Sequence, residues 1–480
     1  MTRFNKFFLT ILFLATSILT YGQQNTVLSL QQCLDIAIKN NLQVKQSGLT
    51  MEADRINFLQ AKENLIPALS GSVSRGLTQG RGLSPVTNTY VNQSLTSDNY
   101  GLSANVTLFN GLSYQNAIKQ ASLAYQAGKM DLQAAKDVVT INVITNYLMV
   151  LDAEEQLSQT QSQLAVAQQQ VDRANVLEKE GANKAASDIY DFKGQLAGSQ
   201  VAATSAQNNV NAAKLSLFQL LNIPYDANAQ LQPLSAEDLI GQHDADPNQV
   251  YATALQQLAQ VKSATLKRQS AEKQVKVLQG QLFPTLSLSG GISTNYSSAG
   301  TKTTFIDSTT AGVPGLFVNT PTGKESISAT TANYSTDKIG YTDQFKNNYG
   351  TYALLSLNIP IFTNHYRKNQ VALGKISLQN AQYVEDNTKI MLRQNVEQAY
   401  SNMIAAYNKY RALTEQVNAY TESFRISKIR YDSGVLTSVD YIISKNQLDA
   451  ANLNLISAHF DYFIYSKILD YYQGKVSASQ

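Results

Sequence analysis

The strongest constraint on this chain is that it is written twice. Residues 43–74, QVKQSGLTMEADRINFLQAKENLIPALSGSVS, return as QVKSATLKRQSAEKQVKVLQGQLFPTLSLSGG at 260–291, with Pro67 over Pro284 at an offset of 284 − 67 = 217. Further on, Phe109 aligns with Phe362 and Gly181 with Gly434, both at 362 − 109 = 434 − 181 = 253. Asp188 aligns with Asp440 at 440 − 188 = 252, one residue having been lost after the glycine. The growth of the offset, 253 − 217 = 36 residues, falls between two alternating segments of the second half, which therefore carries a longer loop there. Internal repetition on this scale means two copies of one structural plan.

Each copy reads as helix, strand, loop, strand, very long helix, turn, helix. Tyr100, Leu102, Ala104, Val106 and Leu108 alternate with Gly101, Ser103, Asn105 and Thr107, and Leu286, Leu288, Ile292 and Tyr296 with Ser287, Ser289, Ser293 and Asn295. Such alternation gives a strand one apolar and one polar face. The four segments, about 68–78, 99–109, 285–297 and 348–362, are each near the ~10 residues that cross a bilayer as a tilted strand. Pro67 and Pro284 stand just before the first and third, where proline ends a helix by removing a donor and crowding the previous turn. A water-soluble sandwich is the alternative for the strands alone. Four strands cannot close a membrane-spanning barrel, because open edges leave backbone groups unpaired in lipid. Either the strands avoid lipid or several chains pool them.

The helices favour pooling. The stretches from about Ser113 to Lys179 and from about His365 to Ser433 each reach roughly 100 Å at 1.5 Å per residue. Ala153, Leu157, Thr160, Leu164, Ala167, Val171 and Ala174 form a heptad seam, repeated 253 residues later by Ala406, Tyr410, Leu413, Val417, Tyr420, Phe424 and Ser427. An ordinary long coiled coil has the same pattern.

Composition narrows the function classes. The net charge of +3, with charged residues only 15%, lacks the basic face of a nucleic-acid binder. The single Cys33 excludes an internal disulfide and a Cys-rich metal site. Leu30, Gln31 and Gln32 before it are not the small residues of a lipoprotein signal, so it reads as a half-buried free thiol. His243, His365 and His459 have no metal-ligand spacing, RGLTQGRG (75–82) lacks the Lys-Ser/Thr of a phosphate loop, and no nucleophile or carboxylate constellation stands out. No enzyme and no cofactor is expected. Arg3 and Lys6 before the apolar run Phe7 to Thr20 predict a signal peptide over residues 1–22. No apolar run of about 18 residues follows, so any membrane passage is by strands. The expected organisation is a first repeat over 23–221, a linker or equatorial element over 222–249, a second repeat over 250–474 and a tail over 475–480.

Two repeats of strand pair plus long helical hairpin, each entered through a proline, resemble the outer-membrane factors, the TolC-like efflux and secretion ducts. LSLQQCLDIAIKNN (28–41) is similar to that family's first-helix signature and RYDSGVLTSVDY (430–441) to its second periplasmic turn. The resemblance implies a mostly α fold with a small β part: a homotrimer whose 12 strands close a barrel in the Gram-negative outer membrane, above an α-helical barrel in the periplasm. It implies a channel fed through a periplasmic adaptor by an inner-membrane pump, with outer-membrane lipid as the other partner. The turns near Gly181 and Gly434 become the periplasmic tips. Gly434, Val435, Leu436 and Thr437, with Gly181, Ala182 and Asn183, match the adaptor-contact turns. Asp440 matches the first of two gate aspartates, and Ile443 stands at the second. Tyr431 matches the latch tyrosine, and Leu436 stands where the latch arginine would be. Asp188 matches the acidic partner on the other turn, with Asp191 one turn on. These carboxylates read equally as helix N-caps. The competing reading of the whole chain is a secreted or surface structural coiled coil with small β tips; a pore-forming toxin is a third, though it has no need of two helical hairpins.

Overall fold

The computed structural model describes residues 27–83, 88–180, 185–234 and 246–475. The expected signal segment 1–22, residues 235–245 of the joint and the tail from 476 lie outside the described residues. The first repeat runs β1 (Val27–Leu28), α1 (Leu30–Asn40), α2 (Leu42–Glu63), β2 (Ala68–Leu83), β3 (Tyr90–Phe109), α3 (Ser113–Lys179) and α4 (Ala185–Leu221). After β4 (Gln230–Leu231) come α5 (Pro247–Gln257), α6 (Ala259–Gly280), β5 (Thr285–Ser297), β6 (Thr301–Thr320), β7 (Gly323–Lys338), α7 (Tyr341–Asn347), β8 (Gly350–Asn358), α8 (Tyr366–Asp432) and α9 (Ser438–Tyr472).

The duplication reaches the level of backbone angles. The helices α1 and α5 begin 247 − 30 = 217 residues apart, α3 and α8 begin 366 − 113 = 253 apart and end 432 − 179 = 253 apart. The Ser29 hydroxyl accepts from Gln32 N at 3.2 Å while Ser29 N donates to Gln32 Oε1 at 2.9 Å, a capping box. Its counterpart Asp246 caps α5 by accepting from Asn248 N at 3.1 Å, with Pro247 at the first helical position. Asn41 and Leu258, 258 − 41 = 217 apart, both turn extended (ψ 125° and 131°) and interrupt the helical run at the same place. Gly111 and Leu112 (φ 65° and 62°) are left-handed, and so are Asn364 and His365 (φ 48° and 59°), 364 − 111 = 253 residues on. A left-handed leucine is uncommon, so this pair of angles belongs to the plan rather than to the residues that fill it.

One compact unit comprises residues up to 57, 121–271 and 377–480 and is helical. Its apolar side chains gather in matched clusters. Cys33 and Ala37 pack with Val143, Tyr147 and Val150 of α3 and Leu217 of α4. At the corresponding places Val250 and Ala254 pack with Val396 and Met403 of α8 and Leu469 of α9. Cys33 thus does the work of Val250, a small apolar core residue, and burial pushes its thiol up to about 11. It is fully buried rather than half-buried. The Tyr147 hydroxyl donates to the carbonyls of Leu28 (3.1 Å) and Gln232 (2.6 Å), pinning the parallel pair of β1 with β4. One stretch of α3 is apolar and long enough to cross a membrane by composition. Its Val139, Val143, Ile144 and Leu148 are core residues of the first cluster. Of the heptad seam, Ala153, Thr160, Ala167, Val171 and Ala174 are buried, and the second copy is half-buried beyond Ala406.

The other unit comprises residues 58–120 and 272–376 and holds an antiparallel four-stranded sheet in the order β2-β3-β5-β8. The two repeats meet at its centre, where Leu102 pairs with Ile292 and Val106 with Leu288. Pro67 and Pro284 directly precede β2 and β5. The pleat sorts the side chains onto two faces. One carries Leu69, Val73, Leu102, Val106, Leu288, Ile292, Leu355 and Leu357; the other carries Ser70, Ser74, Asn99, Ser103, Ser289 and Ser293, with Tyr352 and Leu354 of β8 as exceptions. On the polar face the Ser70 and Ser103 hydroxyls bond at 2.9 Å. Where the strand β3 hands over to α3, Gly111 lies so near Gly280 that a Cβ on either would meet the other's carbonyl oxygen at 2.3 and 2.7 Å. Only a residue without a side chain permits that approach. The second half's expected loop differs: β6 and β7 form a two-stranded ribbon of their own, followed by the short helix α7. Its Thr- and Ser-rich strands carry no strict alternation, so the sequence pattern did not reveal them.

Candidate functional site

The turn between α8 and α9 is built from its ends inward. Helix α8 closes with Val435 N donating to Arg430 O (2.9 Å) and Gly434 N to Tyr431 O (2.9 Å), a Schellman motif around left-handed Gly434 (φ 73°). Thr437 then caps α9, its hydroxyl accepting from Asp440 N at 3.1 Å. The turn is therefore closed by local chemistry on both sides. Among the adaptor-turn residues expected from the resemblance, Gly434, Val435 and Thr437 are exposed, and Leu436 is half-buried against a cluster described below. Gly181, Ala182 and Asn183 lie outside the described residues.

Behind the turn sits a compact aromatic cluster. Phe192 of α4 and Tyr441 of α9 are buried, and Val171 and Ala174 of α3, Phe424 and Tyr431 of α8 and Leu436 surround them. Ring centroids lie 5.0 Å apart for Tyr431 and Tyr441 and 5.9 Å for Phe192 and Tyr431, in tilted and edge-on geometry. Such pairs add ~0.5–1.5 kcal/mol each beyond the area they bury. All four long helices meet here. Burial pushes the Tyr441 phenol up to about 12, with the Asp432 carboxylate adding to it.

The candidate gate residues take three different partners. Asp188 accepts from the Tyr431 hydroxyl at 3.2 Å. Burial, and then that carboxylate, hold the Tyr431 phenol well above its ordinary value, so it stays a neutral donor. Asp191 accepts from the Ser438 hydroxyl at 2.9 Å. Asp440 accepts from the Thr437 hydroxyl at 2.8 Å and is exposed. The capping expectation is corrected in detail: the cap of α9 is Thr437, and Asp440 is the third residue of that helix. Asp188 lies three residues after Ala185, the first residue of α4, inside the first turn. A carboxylate in the first turn is favoured by the helix dipole without being the cap. Asp188 and Asp191 thus tie the second helix of one hairpin to both helices of the other.

Sequence reasoning missed several members of this site. Arg173 and Asp432 form an ion pair at 2.6 Å between α3 and α8. Nothing local announces it, since the partners are 432 − 173 = 259 residues apart. Both are partly exposed, so screening leaves it a small contribution. Phe192 was legible, because Ile189, Phe192 and Leu196 are spaced as one helical face. Val439 and Ile443 lie one turn apart on an exposed side of α9, and Val435, in the turn before its cap, is 68% exposed.

A sequence model of the family described as outer membrane efflux protein matches residues 33–223 and 327–465. The chain is 23% identical to the outer membrane efflux protein BepC of Brucella suis biovar 1 (strain 1330), over 97% of this chain and 90% of that protein. It is 22% identical to the outer membrane protein TolC of Escherichia coli (strain K12), over 91% and 80%. Among solved structures, the CmeC outer membrane channel of Campylobacter jejuni superposes with a TM-score of 0.72 at 18% identity, over 94% of this chain and 87% of that one. The outer membrane protein VceC of Vibrio cholerae gives 0.72 at 14%, over 93% and 96%.

The cluster generates a direct expectation. Tyr441→Ala empties a site where Phe192, Phe424 and Tyr431 converge, costing ~3–5 kcal/mol of local stability by analogy with buried aromatic truncations. Protease nicking near the turns should rise by more than tenfold while the sheet stays protected. Tyr431→Phe keeps the ring and loses only the bond to Asp188, so nicking should rise far less.

Proposed function

The chain belongs to the outer membrane efflux protein family and is an outer-membrane channel rather than an enzyme, and we propose that three copies pool their sheets into one 12-stranded barrel. The observation that carries this is the sheet itself. Its two outer strands, β2 and β8, each pair on one side only, while one face is Leu, Val and Ile and the other is Ser and Asn. In lipid an unpaired edge costs several kcal/mol per stranded backbone group. Pairing β2 of one copy with β8 of the next removes every edge, turns the apolar face to lipid and the polar face to water. The helical hairpins then extend into the periplasm as a conduit. A periplasmic adaptor docks on their turns and an inner-membrane pump supplies the substrate.

On this reading Val435, Gly434 and Thr437, with Leu436 behind them and Gly181, Ala182 and Asn183 of the other turn, form the adaptor contact. The support is an apolar side chain held out at a rigid turn, where exposed apolar surface marks a partner. Tyr431, Asp188 and Asp191 hold the turns together, and the exposed carboxylate of Asp440 is the one assigned to the passage. Three copies of Asp440 at a narrow passage favour cations and repel anions.

Three measurements test these assignments. In detergent, the mass should be that of three chains; a stable monomer overturns the pooled barrel. Val435→Glu should abolish efflux with trimer yield unchanged, and undiminished efflux removes the turn from the adaptor contact. Gly434 is a poorer probe, because any side chain at φ 73° strains the turn itself. In single-channel recordings Asp440→Asn should lower cation selectivity at least twofold and weaken block by divalent cations. Unchanged selectivity places the constriction elsewhere.

A further inference from the structure

We propose that the groove between α7 and the apolar face of the sheet holds an acyl chain of an outer-leaflet lipid, with α7 lying on the lipid side of the barrel at headgroup depth. This rests on the reading above that the apolar face is the lipid face.

The placement of α7 is settled by hydrogen bonds. Gln344 is 4% exposed, and its amide nitrogen donates to Ser297 O and Ile339 O, both at 2.9 Å, while its oxygen accepts from Ser297 N at 2.9 Å. The Thr294 hydroxyl donates to Phe345 O at 2.7 Å, and Asn348 Nδ2 to Asn295 O at 2.8 Å. Thr294 belongs to the face of Leu102 and Ile292, two residues from Ile292 along β5. The Phe345 ring meets Tyr100, and Tyr341 meets Tyr296, both on that same face. So α7 is clamped onto the outside of the sheet, not into its polar side.

The chemistry of that face changes along the strands. Near the prolines it is aliphatic: Leu286, Leu288, Val106, Leu355 and Leu357. At the other end it becomes Tyr100 and, one pair further on, Tyr296 level with the pair of Arg75 and Asp98 at 2.7 Å, with Tyr341 of α7 against Tyr296. An aliphatic band followed by an aromatic and ionic one is the order a bilayer presents from centre to surface. Asp98 is 1% exposed. Arg75 binds it through two nitrogens, so a carboxylate on the lipid side is neutralised by a charge-assisted pair.

Between these levels lies an apolar groove of about 360 Å³, bounded by Gly71, Val73, Leu102, Ile292, Phe345 and Tyr349. Gly71 leaves its floor low. Its Leu102 and Ile292 share the sheet face of the aliphatic band, and Phe345 and Tyr349 of its lining remain exposed. Water filling it would wet apolar surface that a hydrocarbon chain covers.

The absence of tryptophan makes the test clean. Single variants Phe345→Trp, Tyr349→Trp, Leu355→Trp and Thr310→Trp are reconstituted in liposomes whose lipids carry bromine at shallow or deep acyl positions. Fluorescence from Phe345→Trp should be quenched at least twofold more by shallow than by deep bromines and be shielded from acrylamide. Leu355→Trp should respond to deep bromines, and Thr310→Trp only to acrylamide. Tyr349→Trp reads the same groove should Phe345→Trp fail to fold. Adding Gly71→Leu fills the groove and should reduce the shallow quenching of Phe345→Trp by at least half. If the groove probes respond to acrylamide as freely as Thr310→Trp while Leu355→Trp still senses lipid, the groove proposal falls and the lipid face stands. If Gly71→Leu leaves the shallow quenching intact, α7 sits at the interface without a seated chain, and the proposal falls. If Leu355→Trp senses no bromine, the lipid-face reading falls and takes the proposal with it.

Discussion

The structure depends on a four-stranded sheet that cannot finish itself. Its outer strands β2 and β8 each have a side without a partner, and one of its faces is dry. Water would satisfy the edges but not the Leu and Val face; lipid would cover the face but not the edges. In the proposed trimer, pairing with further copies of the sheet satisfies both demands at once. In that proposed barrel the polar face lines water, and its Ser and Asn side chains do so without fixing a dense charge.

The same demand explains why the repeat is kept so closely in the backbone. A barrel made of repeated sheets needs equivalent strands to leave at equivalent angles. The left-handed pairs Gly111-Leu112 and Asn364-His365 set that angle after the second strand of each half. Side chains at these places differ; the left-handed conformation does not. The close approach of Gly111 to Gly280 then fixes where a first-repeat strand ends relative to a second-repeat helix.

Far along the chain from the sheet, the turns are held by a different kind of force. Phe192, Tyr431 and Tyr441 pack where four helices meet, and two carboxylates accept hydroxyls from the opposite hairpin. The bonds of Asp188 and Asp191 are few and partly exposed, so they can be exchanged for other partners at modest cost. The aromatic cluster, by contrast, resists separation. The cluster and the two carboxylate bonds therefore hold the same two hairpins together, the cluster supplying the firmer part.

What the sequence determined by itself was whatever depends on periodicity and on backbone exceptions. The period of two set the strands and their faces, the heptad seam set Ala153, Thr160, Ala167 and Val171 inward, Pro67 and Pro284 set the handovers, and the offsets of 217 and 253 set the matching elements. Local chemistry also announced the turn at Gly434. The tertiary structure alone decided which side chains meet across the chain. Arg173 finds Asp432, Asp188 finds Tyr431 and Asp191 finds Ser438 because folding brings helices together that are some 250 residues apart in sequence. It also decided that the inserted segment of the second repeat becomes a ribbon and the helix α7, clamped by Gln344 against the sheet face of Thr294 and Tyr100. A buried glutamine in a short polar segment has no period to betray it. Its burial exists only because the backbone groups of Ser297 and Ile339 are already in place to satisfy it.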